Sequence, residues 1–79
     1  MTLSLEQATA KLRWILADSH ADFTARVVNI VDGYFVEFRR GDQTVWRRIP
    51  YEWLDDAEPG ALGRIDGVIE HVRRALDIV

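Results

Sequence analysis

Two turn signals, Asp32-Gly33 and Gly41-Asp42, flank the seven residues YFVEFRR and constrain this chain more than any other feature. Asp-Gly suits a type I′ turn, which needs positive φ at both central positions, and a glycine in first place suits type II′. The flanking segments, FTARVVNIV (23–31), YFVEFRR (34–40) and TVWRRI (44–49), are rich in β-branched and aromatic residues. The pattern predicts three antiparallel strands joined by two-residue hairpins. Pro50 ends the third strand, because it has no N–H for a ladder, and it can open the short helical turn PYEWLDD.

Helical periodicity brackets this meander. Ser4 and Gln7 have capping-box spacing. Leu5, Ala8, Leu12, Ile15 and Leu16 then form one apolar stripe, predicting a helix over 5–18. Beyond the Pro59-Gly60 break, Leu62, Ile65, Val68, Ile69, Val72, Leu76 and Val79 share one face of a second long helix, with Glu70 and Arg74 paired at i,i+4 on the opposite side. Gly63 and Gly67 fall on that outer side, where another backbone could approach closely. The order is α-β-β-β-α. With 79 residues, the chain makes one domain of the α+β class, a three-stranded antiparallel sheet packed on two helices.

Two-residue turns place Val27, Val31, Tyr34, Val36, Phe38, Val45 and Ile49 on the core side of the sheet, with Asn29 and Arg47 as polar exceptions. The other side then carries Arg26, Val28, Ile30, Phe35, Glu37, Arg39, Trp46 and Arg48, mixing arginines and aromatics around one carboxylate. A three-residue second turn, Gly41-Asp42-Gln43, would instead send Trp46 to the core and set Glu37 opposite Arg47. Arg39, Trp46 and Arg48 are candidate contact residues, and the competing reading lets the arginine stems cover the apolar rings while their heads stay in water. Trp14 lies off the stripe of the first helix. Its two readings are partial burial against the chain ends and an anchor for a partner.

Glu52, Asp55, Asp56 and Glu58 form an acidic run without a basic residue, beside Tyr51 and Trp53. The run reads either as a solvated loop or as a contact surface for a basic partner, with the two aromatics as anchors. Thirteen acidic residues against ten basic ones give a net charge of −3, which disfavours direct nucleic-acid binding. With no cysteine, thiolate metal sites and cysteine nucleophiles are excluded. His20 and His71 have no metal-ligand spacing, Ser4 reads as a cap, and the glycines match no phosphate-loop spacing. The expectation is a non-enzymatic protein with no cofactor and no metal. The absence of a long apolar run predicts no membrane contact, and the start lacks a signal-peptide pattern, which predicts a cytoplasmic location. The small core leaves a homodimer open.

The α-β-β-β-α order resembles double-stranded RNA-binding domains in topology. Their function rests on lysines at the start of the second helix. This chain has GALGRIDG there, with Arg64 alone. A second resemblance is carried by residues. TARVVNIVDG (24–33) and PGALGRIDGVIEHVRRA (59–75) resemble segments of small phage-encoded anti-CRISPR proteins that inhibit type I surveillance complexes, covering about half of the chain. Such an inhibitor opens with strands, where this chain opens with its helix, so no contact residue is carried over. The resemblance implies a protein–protein inhibitor acting in a bacterial host cell, which binds the RNA-guided type I CRISPR–Cas complex and blocks target DNA binding. The alternative is a small nucleic-acid-binding or regulatory domain.

Overall fold

The computed structural model describes residues 3–55 and 63–78. Helix α1 (Leu5–Asp18) precedes strands β1 (Thr24–Ile30), β2 (Tyr34–Arg40) and β3 (Gln43–Ile49), the one-turn helix α2 (Tyr51–Asp55) and helix α3 (Gly63–Ile78). The strands form one antiparallel sheet in the order β1-β2-β3. The architecture is the expected α+β sandwich, with helices on one side of the sheet.

Local chemistry sets each boundary. Ser4 Oγ accepts the Gln7 N–H and Gln7 Oε1 accepts the Ser4 N–H, closing the expected capping box. The helix ends at Asp18, and His20 takes a left-handed φ of 55° in the turn that follows. Ala8, Leu12, Ile15 and Leu16 of α1 meet Ala25, Val27, Tyr34, Val36, Phe38, Val45 and Ile49 of the sheet in one core. Leu54 of α2 and Ile65, Ile69, Val72 and Leu76 of α3 complete it. Leu62 and Val79, expected on the same face, lie outside the described residues. Gly67 faces open space, with no atom within 4 Å of where a Cβ would stand, so no backbone of the described chain approaches it. Glu70 pairs with Arg73.

The two hairpins differ. At the second, Arg40 pairs with Gln43 around Gly41-Asp42, and Gly41 has a φ of 59°, as a two-residue type II′ turn requires. Trp46 therefore stands on the outer side, opposite Glu37, and the three-residue alternative is not adopted. At the first hairpin the pair nearest the turn is Ile30 with Tyr34, so the loop holds three residues, Val31, Asp32 and Gly33, in place of the expected two. A bulge between Val27 and Asn29 accompanies it.

The bulge corrects the face assignment of the end of β1. A regular strand with a two-residue turn would point Val31 and Asn29 into the core. With one extra residue at Val28, Asn29 and Val31 turn outward and Ile30 packs against the core, while Val27 and Ala25 keep their inward positions. The physical reason is the Asn29 amide, which would cost about 1–3 kcal/mol if buried without partners. In the observed arrangement it is exposed and accepts the Ile30 N–H at 2.8 Å. Arg47, the other expected polar exception, does lie on the helix side, half-buried. Its guanidinium reaches the rim of the sheet, donating to Trp46 C=O at 2.7 Å and meeting His71 Nε2 at 2.8 Å.

Candidate functional site

With α1, α2 and α3 gathered on one side, no described element covers the opposite side of the sheet. Its side chains fall in three cross-strand rows: Phe35 beside Arg48, then Arg26, Glu37 and Trp46, then Thr24, Arg39 and Thr44. Side chains alternate along each strand, which puts residues of adjacent rows on the same face.

Phe35 and Trp46, diagonal neighbours on β2 and β3, stack with ring centroids 5.4 Å apart and planes 12° from parallel. They remain 40% and 44% exposed. An aromatic pair of this size left in solvent is a feature of docking surfaces. Glu37, the one carboxylate of the face among the described residues, lies opposite Arg26 at 3.6 Å. Arg39 and Arg48 are exposed and make no ion pair among the described residues. Three arginines against one glutamate leave this face at +2 on a chain of net charge −3.

Each edge of the sheet is capped at one point by a side chain. Thr9 Oγ1 of α1 accepts the Val27 N–H at 3.0 Å on the β1 edge, and Arg47 covers Trp46 C=O on the β3 edge. Backbone pairing with another strand is therefore obstructed at those two points.

The acidic turn is put together differently from a free contact loop. Tyr34 is buried, and its hydroxyl donates to Asp55 Oδ1 and accepts the Leu3 N–H at 2.9 Å. Burial, and then the hydrogen bond to Asp55, push the Tyr34 phenol up to about 12. Lys11 Nζ donates to Asp55 C=O at 2.8 Å. Asp55 thus ties α1, β2 and α2 together. Tyr51 packs edge-to-face on Tyr34 with centroids 5.3 Å apart, and Tyr51 and Trp53 both pack against the core. Glu52 is exposed, and Asp56 and Glu58 lie outside the described residues. Of the candidate contact residues, the fold brings together Arg39, Trp46 and Arg48 with Phe35 and Arg26, and it places Tyr51, Trp53 and Asp55 in internal contacts.

Sequence reasoning missed the role of Arg40. Its guanidinium bridges Asp77 of α3 at 2.7 Å and Asp22 before β1 at 2.8 Å, and these two hydrogen bonds raise its pKa. The pairing joins residues 18 and 37 positions apart, which no local spacing signals. An open groove of 360 Å³ beside β3 is lined by Arg47, Arg48, Trp53, Gly67, Val68 and His71. Trp14 is 61% exposed on α1. Among the described residues no group of three or more His, Asp or Glu side chains is arranged to hold a metal, and no helix is long and apolar enough to cross a membrane. Comparison with family models, with curated proteins and with solved structures returns no match.

Proposed function

We propose that this protein is a non-enzymatic inhibitor of the anti-CRISPR kind, which docks on a type I RNA-guided surveillance complex in the bacterial cytoplasm and keeps target DNA from binding. The observation that carries the docking half is the open sheet face, where the Phe35–Trp46 stack is flanked by Arg39 and Arg48 without carboxylate partners among the described residues. Aromatic residues and arginine are the side chains enriched where binding energy concentrates. The resemblance of residues 24–33 and 59–75 to anti-CRISPR segments supports the choice of target.

The acidic turn takes second place as a contact surface, since Asp55 is spent on Tyr34 and Lys11 and Glu52 is its one exposed carboxylate among the described residues. The test is target-duplex binding by a purified type I complex with and without this protein. The parent protein is expected to block binding. Arg39→Glu with Arg48→Glu is expected to lose the block at an unchanged melting temperature, and Glu52→Lys to keep it. A parent protein that leaves target binding untouched rules the reading out.

A further inference from the structure

We infer that the open sheet face recognises single-stranded nucleic acid, with bases stacking on the Phe35–Trp46 pair and phosphates taken by Arg26, Arg39 and Arg48. The inference rests on the docking surface proposed above and not on the identity of the complex that presents the strand. Three features of the face point to this ligand. The rings stack nearly parallel, 5.4 Å between centroids, and the two residues stay 40% and 44% exposed, so aromatic surface is open to a base. Base–aromatic stacking tolerates any sequence, because every base has such a face. The three arginines stand on three different strands and in three successive rows, so they spread across the sheet around the ring pair. A polyanion crossing the strands meets each of them in turn.

Charge settles the remaining choices. A second copy docked face to face would set +2 against +2, with one Glu37 per copy to offset three arginines. A duplex is disfavoured by the acidic remainder of the chain, which opposes the many phosphate contacts that duplex binding relies on. A single strand can be bound with few phosphates neutralised, because the rings supply part of the attraction. The net charge of −3 counts against nonspecific electrostatic binding and leaves stacking intact.

The test is fluorescence anisotropy with labelled 12-nucleotide oligo-dT and oligo-rU, against a 12-base-pair duplex and a labelled poly-glutamate peptide of similar charge. The single strands are expected to bind with micromolar affinity at low salt. With two or three phosphates contacted, log K should fall against log salt with a slope of about −1.4 to −2. Trp46→Ala should weaken binding by about 5- to 150-fold, the range expected for one stacked base, and Trp46→Phe should recover much of the loss. Arg39→Glu with Arg48→Glu should bring the slope below about −1 in magnitude. All three substituted positions are exposed, and unchanged circular dichroism and melting temperature confirm folded variants.

No single-strand binding up to millimolar protein overturns the inference, as does equal affinity for the duplex or binding indifferent to Trp46→Ala. Poly-glutamate binding that these substitutions abolish, in the absence of oligonucleotide binding, overturns it in favour of an acidic protein partner. Oligonucleotide binding without inhibition of the type I complex overturns the inhibitor reading and leaves the inference standing.

Discussion

Tyr34 adds a polar link to the core that it helps to fill. Its hydroxyl is the meeting point of the Leu3 N–H and the Asp55 carboxylate, so Tyr34→Phe leaves both without this partner. We expect a loss of about 1–3 kcal/mol, read from urea unfolding at neutral pH. The phenol is also pH-linked. Its folded pKa, about 12, stands above the ordinary 10, so the folded state holds this proton more tightly than the unfolded chain. The associated stability is complete below pH 10 and is lost as pH rises towards 12. Tyr34→Phe should lack that component of the alkaline decline, and Asp55→Asn should move the tyrosinate absorbance transition downward. The same contact explains why reversing Asp55 to lysine is a poor probe of the acidic turn. It would disturb the Tyr34 contact as well as the surface charge.

Glycine positions separate in the same way. Gly33 has a φ of 134°, and a Cβ there would stand 2.9 Å from Ile49 C=O. Gly41, at φ 59°, has open space around it. Gly41→Ala should cost about 1–2 kcal/mol from the left-handed backbone alone. Gly33→Ala meets both strain and backbone overlap and should cost more. Paired thermal melts compare them.

Among the elements, the helices and the second hairpin are legible because their signals are local. The Ser4–Gln7 box, the Leu12–Ile15–Leu16 stripe and the Gly41-Asp42 turn each lie within a few residues of one another. The first hairpin is not, because the deciding term is the Asn29 amide against the core, a tertiary cost that overrides the Asp-Gly preference for a two-residue loop. The candidate site shows the same division. Arg39, Trp46 and Arg48 follow from the register of the second turn, whereas the Tyr34–Asp55 contact spans 21 residues and has no local trace. The observed register makes a simple prediction. Val31→Lys, at a position 60% exposed, should change stability by no more than about 0.5 kcal/mol. Ile30→Lys places a charge against the core and should cost clearly more. Equal losses in denaturant midpoint would mean that the bulge at Val28 is wrongly placed.

On the scale of the whole molecule, the sheet face has an excess of two positive charges, α1 and α3 each balance their acidic and basic residues, and α2 adds the carboxylates of Glu52 and Asp55. The chain order matches double-stranded RNA-binding domains, yet Arg64 stands alone where their lysines cluster. We therefore expect no appreciable duplex binding at physiological salt. A mobility-shift titration with duplex RNA and DNA checks this, and micromolar affinity falling steeply with salt would contradict it.

The Thr9 hydroxyl over the Val27 N–H also bears on how long the protein stays dispersed. A strand edge with free amides is a template on which like chains can grow into fibrils, and β1 is kept from that role by a single side chain of α1 at this point. Thr9→Val nearly preserves the shape of the side chain and removes the acceptor. The substituted protein should develop thioflavin-positive assemblies on storage at concentrations where the parent solution stays clear, so colloidal shelf life would report on one hydroxyl group.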